Sequence, residues 1–227
     1  MADPNFFSAP IFVTGLPRSG TSMVAGCLHL CGAWVGTTVA GGVGNPRGFF
    51  ENQYLREQLT KPILTSLGCD PLGVKSLPEF QQVPRAQGLL NAFEQLLTKD
   101  GYRGQQPWLY KDAKMTLLWP IYQQVFPEAR WVIVRRNPDD IIDSCLRTHF
   151  MAHHSPKRQF WQDFVDQYQL RLMGLKNSAA QVFEISADNL ITGNSGELLS
   201  LANALELTPD AARVGEFIAP ELWRTNA

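Results

Sequence analysis

An apolar stretch that runs through a glycine-containing turn into a helix most limits the folds open to this chain. Residues 10–14 are apolar and rich in strand-forming side chains, and residues 15–20 hold two glycines and a proline. Residues 21–30 then have the apolar spacing of a buried helix. A strand that feeds a helix in this way is typical of a β–α unit, whose next strand lies parallel to the first. The segment therefore predicts an α/β fold.

The rest of the chain continues this alternation. Further strands are predicted at residues 108–110, 130–134 and 182–185, and helices at residues 51–67, 79–97, 117–126, 138–148, 159–175, 197–205 and 209–217. Strands separated by helices predict a central parallel sheet with helices on both faces. Because no repeat or linker divides the chain, we expect a single domain over residues 1–227. Its sequence motifs lie in residues 10–150, and residues 151–227 complete the fold with mainly helical structure.

The overall composition disfavours several classes of function. The chain has 20 lysines and arginines against 21 aspartates and glutamates, so nothing suggests a nucleic-acid-binding coat, and any anion site must be local. No apolar run approaches the roughly 18 residues of a membrane span, and no export signal is recognisable. The four cysteines form no pattern of metal ligands or disulfides. We therefore expect a cytoplasmic protein with reduced thiols, no metal and no membrane span.

The turn after the first strand is a candidate phosphate loop. Residues 15–22 read Gly-Leu-Pro-Arg-Ser-Gly-Thr-Ser, and such a turn presents backbone N–H groups and the positive end of a helix to an anion. A nucleoside-triphosphatase loop needs a lysine after its last glycine, but here Thr21 follows Gly20, which disfavours a kinase or ATPase. Arg18 supplies a permanent cation instead, and hydroxyls are available at Ser19, Thr21 and Ser22. This set suits a phosphate and a bridging oxygen without metal.

The segment Pro-Arg-Ser-Gly-Thr-Ser resembles the 5'-phosphosulfate loop of sulfotransferases that use 3'-phosphoadenosine-5'-phosphosulfate (PAPS), particularly their bacterial and tyrosylprotein branches. The resemblance implies a P-loop-like fold, PAPS as the donor and adenosine-3',5'-bisphosphate as the product. It further implies that the donor's 5'-phosphosulfate binds to five loop residues, Arg18, Ser19, Gly20, Thr21 and Ser22.

A second anion element follows the predicted strand at residues 130–134. Arg136 stands at the strand end, Asn137 and Pro138 suit the start of a helix, and Ser144 lies about two helical turns later. Arg136 and Ser144 could converge on one anion. The spacing resembles the family's 3'-phosphate element, an Arg-Asn-Pro followed by a serine eight residues after the arginine. Arg135 stays open as the alternative ligand, because adjacent strand residues face opposite sides.

Sulfuryl transfer needs a base for the acceptor hydroxyl and positive charge on the oxygens of the breaking bond. Arg18 is one cation, and Lys111 is the second, because it follows a short strand at the edge where open α/β sheets build sites. The Lys-Asp pair resembles the Lys-Asp-Pro element of the tyrosylprotein and bacterial branches, whose lysine is thought to stabilise the transition state. Ala113 replaces the proline here.

For the base we favour Glu51, in the segment Asn-Pro-Arg-Gly-Phe-Phe-Glu-Asn, which is similar to an Asn-Pro-x-Gly-x-x-Glu element of bacterial sulfotransferases. Arg47 in the same segment could hold an acidic acceptor or be solvated. Three histidines after the second anion element offer a rival base, His149, His153 and His154.

These motifs together lead to one preferred function and two alternatives. The chain is expected to transfer a sulfuryl group from PAPS to a hydroxyl or amine acceptor. One alternative is a module that kept the adenosine-3',5'-bisphosphate pocket and lost the chemistry, and a less favoured one is a P-loop nucleoside kinase. The sequence defines neither the acceptor nor the oligomeric state.

Overall fold

A computed structural model describes residues 7, 9–42, 45–79, 88–218 and 220–221 of the chain. Its centre is a sheet of four parallel strands, β1 (Ile11–Gly15), β2 (Leu109–Lys111), β3 (Arg130–Arg135) and β4 (Gln181–Ser186), in the order β2-β1-β3-β4. In β1, Ile11 pairs with both Leu109 and Arg130, so β1 lies inside the sheet. The expected parallel sheet is confirmed, and the observed strand ends differ from the predicted ones by a single residue.

Helices occupy the connections between the strands and follow the last strand. They are α1 (Thr21–Leu30), α2 (Gln53–Leu55), α3 (Lys61–Ser66), α4 (Leu89–Lys99), α5 (Met115–Val125), α6 (Pro138–Arg147), α7 (His149–Ala152), α8 (Arg158–Ser178), α9 (Ala187–Ile191), α10 (Gly196–Ala204) and α11 (Ala211–Phe217). A wider π turn, Arg56–Thr60, joins α2 to α3.

Several helices differ in detail from the prediction. The predicted helix at residues 51–67 contains the π turn, whose backbone hydrogen bond runs from Lys61 N–H to the Arg56 carbonyl five residues earlier. The helix predicted to begin at residue 117 begins at Met115 and contains Pro120. Of the helix predicted at residues 79–97, residues 80–87 lie outside the described residues. The short helices α7 and α9 are not predicted by the sequence.

The two faces of the sheet bury separate cores, because successive strand residues point to opposite sides. Phe12 and Trp131 belong to one core, which is rich in aromatic rings and is covered by helices such as α5 and α8. Val13 and Val132 belong to the other core, against α1, α10 and α11. All four side chains are fully buried. The prediction of helices on both faces is therefore confirmed.

Helix α8, with 21 residues, also fixes a loop near the carboxyl edge of the sheet. The Tyr168 hydroxyl donates to the Gly73 carbonyl at 2.8 Å, and Arg171 Nη2 donates to the Pro78 carbonyl at 2.7 Å. Within the ranges that the structure describes, no helix has both the length and the apolar character needed to cross a membrane.

Candidate active site

The loop between β1 and α1 has the backbone of an anion-binding turn. Arg18 and Gly20 adopt left-handed φ angles of 71° and 95°, and α1 begins directly afterwards. Gly15, the last residue of β1, has no room for a side chain, since a Cβ there would lie 2.6 Å from the Val134 carbonyl oxygen of β3. Ser19 Oγ is buried without a hydrogen-bond partner among the described residues. The loop therefore leads directly into the positive N-terminal end of α1, as in anion-binding turns.

The two predicted anion elements meet at Arg18. Arg18 Nε donates to Ser144 Oγ at 3.0 Å, and Arg136 Nη1 donates to the Arg18 carbonyl oxygen at 2.9 Å. Burial is the largest cause that lowers the pKa of both guanidinium groups. Residues separated by more than a hundred positions thus form one cationic cluster. An anion bound there would offset the cost of burying the two charges.

The neighbouring Arg135 points elsewhere. Its side chain is 60% exposed and forms an ion pair with Glu184 of β4 at 2.8 Å. Arg136 lines the cavity at the carboxyl edge of the sheet, and Arg135 is not part of that lining. Of the two arginines, Arg136 is the one that contacts the phosphate loop and lines the same cavity as Ser144.

Glu51 lies in a cage of cations. Its Oε1 accepts a hydrogen bond from Lys111 Nζ at 2.9 Å, and its Oε2 lies 2.8 Å from Arg56 Nε. Lys114 Nζ is 4.0 Å from Glu51 Oε2 and 2.7 Å from Asp112 Oδ1. The predicted base and the predicted catalytic lysine therefore share a direct hydrogen bond.

This environment sets the charge of the cage. Burial by itself would raise the pKa of Glu51, but the charges of Lys111, Lys114 and Arg56 outweigh it and hold the pKa at about 2. Burial likewise opposes the charge of Lys114, yet Asp112 and Glu51 raise its pKa. The Glu51 carboxylate and the Lys114 ammonium group are therefore both charged near neutral pH.

A buried network of hydrogen bonds holds the residues around Glu51 in place. The Tyr110 hydroxyl donates to Asp112 Oδ2 at 3.0 Å, and Asp112 Oδ1 accepts from the Lys114 backbone N–H at 2.9 Å. The Thr60 hydroxyl, at the end of the π turn, lies 2.7 Å from the hydroxyls of both Tyr110 and Tyr122. The network joins the end of β2 to the π turn that carries Arg56. It therefore fixes the positions of Lys111 and Arg56 on the two sides of Glu51.

The segment before Glu51 closes over the phosphate loop. Asn45 Nδ2 donates to Ser22 Oγ at 3.0 Å, and the Arg47 guanidinium lies 5.0 Å from the centre of the Phe217 ring in α11. Phe50 has a φ of 54°, which is uncommon for a bulky residue and is found where the surroundings impose it. This backbone turn presents Glu51 to the cavity.

One cavity of about 460 Å³ collects these side chains. The predicted site residues in its lining are Arg18, Gly20, Thr21, Ser22, Glu51, Lys111, Arg136 and Ser144. Ser19 lies behind the loop, fully buried, and does not belong to the lining. Of the three candidate histidines, His154 lines the cavity.

Sequence reasoning missed three further cations that line the cavity, Arg56, Lys114 and Arg147. Lys114 had a usable signal, because it stands three residues after Lys111 at the same strand end. Arg147 stands one helical turn after Ser144, which is also readable from the spacing. Arg56 had none, because the π turn that directs it towards Glu51 was not predicted.

A glycine-containing anion loop and a cationic cavity at the carboxyl edge of a parallel sheet are typical of α/β enzymes that bind anionic nucleotides. The model of the Sulfotransferase family matches residues 10–210. The chain belongs to this family, and the resemblance seen in the motifs is confirmed. Membership supports transfer of a sulfate group as the activity.

Solved structures show the same fold. The sulfotransferase domain of the Synechococcus PCC 7002 olefin synthase has 15% sequence identity and a TM-score of 0.57, over 95% of this chain and 87% of that one. A sulfotransferase from Alicyclobacillus acidocaldarius has 14% identity and a TM-score of 0.55, over 95% and 98%. Sulfotransferase STF1 from Mycobacterium tuberculosis H37Rv has 15% identity and a TM-score of 0.50, over 97% and 72%. No curated protein matches the chain.

Proposed function

We propose that the chain transfers a sulfuryl group from PAPS to a hydroxyl or amine of an acceptor. The observation that carries the proposal is the contact between the two anion elements, in which Arg18 bonds to Ser144 and Arg136 bonds to the Arg18 carbonyl. A donor with a 5'-phosphosulfate and a 3'-phosphate needs two anion sites on one surface. The phosphate loop and the β3–α6 element would provide them.

The residues present fit such a donor. The backbone and side chains of the phosphate loop would hold the 5'-phosphosulfate, namely Arg18, Ser19, Gly20, Thr21 and Ser22. Ser19 Oγ is buried without a partner among the described residues and lies outside the cavity lining, so its hydrogen bond to the anion requires the loop to shift on binding. Arg136 and Ser144 would hold the 3'-phosphate.

PAPS supplies a sulfuryl group whose bond to the bridging phosphate oxygen breaks while the bond to the acceptor oxygen forms. Glu51 would take the acceptor's proton, and the bisphosphate product keeps the electron pair of the broken bond. Lys111 and Arg18 would stabilise the charge that develops on the leaving oxygen and on the equatorial oxygens. The 2.9 Å bond between Lys111 and Glu51 supports a single reaction centre for both roles.

The low pKa of Glu51 bears directly on its role as the base. A general base works best with a pKa near the working pH, and about 2 is far below it. If Lys111 instead donates a hydrogen bond to the bound anion, Glu51 loses one of the cations that lower its pKa. We therefore propose that Glu51 gains basicity when the donor is bound. His154, the one candidate histidine that lines the cavity, is the rival base.

The same pKa favours a second candidate function. A carboxylate held near pKa 2 by three cations suits a module that binds adenosine-3',5'-bisphosphate without transferring sulfate. Sulfate transfer that is lost in Glu51→Gln, with bisphosphate binding retained, would support the enzyme and reject the module.

The first experiment is calorimetric titration with adenosine-3',5'-bisphosphate beside ADP, without added metal. We expect micromolar binding of the bisphosphate, and Arg18→Ala and Arg136→Ala should each weaken it by at least about tenfold, because each removes a charge-assisted hydrogen bond. Arg135→Ala is the matched control and should bind normally, since Arg135 pairs with Glu184. Absence of bisphosphate binding, or preference for magnesium-ADP, would refute the proposed donor and favour a kinase.

We further propose that the enzyme works in the cytoplasm. All four cysteines are free thiols, which supports a reducing compartment. A fluorescent fusion of the full chain, imaged in living cells, should fill the cytoplasm, and a signal at the cell boundary would contradict the proposal.

A further inference from the structure

Two phenylalanine rings pack over a glycine in the middle of α1. A Cβ on Gly26 would lie 2.4 Å from Phe217 Cζ and 3.0 Å from Phe50 Cε2. Glycine inside a helix is less favourable than alanine, because it has more conformational freedom to lose. Helix α1 therefore gives up some intrinsic stability at this position, and the space that results is filled by the two rings.

The Phe217 ring connects α11 to the segment that precedes Glu51. Its centre lies 5.8 Å from the centre of the Phe50 ring at an interplanar angle of 79°, the edge-to-face arrangement that aromatic pairs prefer. The Arg47 guanidinium lies 5.0 Å from the centre of the Phe217 ring, and Arg47 Nη1 donates to the Glu216 carbonyl at 3.2 Å. The last residues of α11 thus hold the segment from two sides.

The backbone of Phe50 decides the direction in which Glu51 leaves this segment. Phe50 has a φ of 54°, a left-handed conformation that a bulky residue keeps only where its surroundings impose it. The packing of its ring over Gly26 and against Phe217 supplies such surroundings. If Phe50 returned to a negative φ, the chain would turn differently into Glu51.

The chain after Glu51 is anchored separately. Asn52 is buried, and its Nδ2 donates to Asp100 Oδ2 at 2.6 Å. The Glu51 carbonyl accepts a hydrogen bond from the Val39 N–H at 2.9 Å. Because these bonds fix the chain from Asn52 onwards, the direction of Glu51 depends on the turn at Phe50.

The contacts of the Glu51 carboxylate require this direction. Its Oε1 lies 2.9 Å from Lys111 Nζ, and its Oε2 lies 2.8 Å from Arg56 Nε. A displacement of about 1 Å would stretch both contacts beyond hydrogen-bond length. A small change in the turn would therefore separate Glu51 from its cations.

We propose that Phe217 is a positioning residue for Glu51. Its ring holds Phe50 in the left-handed turn, and this turn places the Glu51 carboxylate between Lys111 and Arg56. The importance of Phe217 for catalysis rests on the proposed function, in which Glu51 is the base, but the placement of Glu51 does not. Helix α11 thereby completes the reaction centre from the C-terminal part of the chain.

The ionisation of Glu51 reports its position, because the charges of Lys111, Lys114 and Arg56 hold its pKa at about 2. The full-length protein is labelled with carboxyl-enriched glutamate and titrated by NMR, and Glu51→Gln identifies the Glu51 resonance by its loss. In the unmodified protein this resonance should stay unmoved from pH 7 down to about pH 4. In Phe217→Ala the carboxylate moves away from the cations, so its pKa should rise by at least about 1 and the resonance should move within this range.

Two further variants separate this contact from a general loss of packing. Gly26→Ala keeps the Phe217 ring but forces it to move, so it should raise the pKa of Glu51 in the same way. It also provides the test if Phe217→Ala does not fold. Val214→Ala is the matched control, because Val214 is fully buried on the same helix and lies outside the cavity lining. Its Glu51 resonance should behave as in the unmodified protein.

Three outcomes would overturn the proposal. They are a Glu51 resonance that stays unmoved in folded Phe217→Ala or Gly26→Ala, one that moves equally in Val214→Ala, and one that already moves above about pH 4 in the unmodified protein. Calorimetric titration of the unmodified protein with adenosine-3',5'-bisphosphate tests the proposed function separately. Absence of bisphosphate binding would refute that function, and the NMR titration would still decide whether Phe217 positions Glu51.

Discussion

Replacing Glu51 by glutamine removes a buried carboxylate that faces three cations, and we expect a large loss of stability that depends on pH. Glu51 accepts a hydrogen bond from Lys111 at 2.9 Å and forms an ion pair with Arg56 at 2.8 Å, with Lys114 at 4.0 Å. The neutral amide would leave these buried charges to repel one another. Removing one partner from a buried ion pair is costly, because the remaining charge stays out of water.

The size of the effect follows from the pKa of Glu51. The pKa of Glu51 falls from an ordinary 4.5 to about 2. This difference of about 2.5 corresponds to about 3 kcal/mol of unfolding free energy at pH 7. Because the folded-state pKa is lower than the unfolded one, this stability is fully present above the unfolded value and is lost as the pH falls towards 2. The difference in unfolding free energy between the unmodified protein and Glu51→Gln should therefore shrink by about 1 kcal/mol at pH 4 and about 2 kcal/mol at pH 3.

Urea denaturation followed by tryptophan fluorescence measures this difference, because Trp108, Trp131 and Trp161 are fully buried. Glu57→Gln is the matched control. Glu57 also pairs with Arg56, but its side chain is 41% exposed, so its loss should cost no more than about 0.5 kcal/mol. Two results would refute the prediction that the charge of Glu51 stabilises the fold. One is a loss of unfolding free energy in Glu51→Gln that equals the loss in Glu57→Gln, and the other is a loss that stays the same between pH 7 and pH 3.

Three further predictions concern the surroundings of the cage. Gly73→Ala should lower stability by about 1–3 kcal/mol in thermal unfolding, since its φ is 70° and a Cβ would lie within 3.0 Å of its neighbours; an unchanged midpoint would contradict the close approach. Tyr110→Phe should cost about 1–3 kcal/mol in the same assay, because Asp112 loses a 3.0 Å hydrogen bond, and a stable variant would show that the network is dispensable. Burial raises the pKa of Cys145 to about 12, so a thiol reagent at pH 8 should modify the half-buried Cys69 well before Cys145. Equal rates would show that the core around Cys145 opens readily.

The strands, the phosphate loop and the α6 cap were predictable because their signals are local. The apolar run of β1 and the glycine turn lie within a dozen residues, and Asn137 caps α6 by accepting from the Asp139 N–H at 2.9 Å. The carboxyl edge of a parallel sheet then brings Lys111 and Arg136 to one side without further information.

The partners of these residues were not predictable from local signals. Arg18 bonds to Ser144 across 126 positions, and only the packing of α6 beside the phosphate loop brings the two together. Arg56 reaches Glu51 through a π turn that no spacing rule predicted. Leu72 is directed to the cavity by the hydrogen bonds of Asp70, a loop geometry without a periodic pattern. Sequence therefore gives the elements of the site, and tertiary contacts decide which side chains face one another.

The charge distribution gives a nearly neutral chain a strongly cationic cavity. Its formal net charge is −1, yet seven cationic side chains and one carboxylate, Glu51, line the cavity in the described part of the chain. Glu51 and Asp112 form ion pairs with Lys111 and Lys114 on the β2 side, whereas Arg18 and Arg136 near β1 and β3 contact hydroxyl and carbonyl oxygens. Under the proposed function, a donor anion at this edge would compete with Glu51 for Lys111. Loss of that hydrogen bond would raise the pKa of Glu51, so the proposed donor site and the proposed base would be coupled through Lys111.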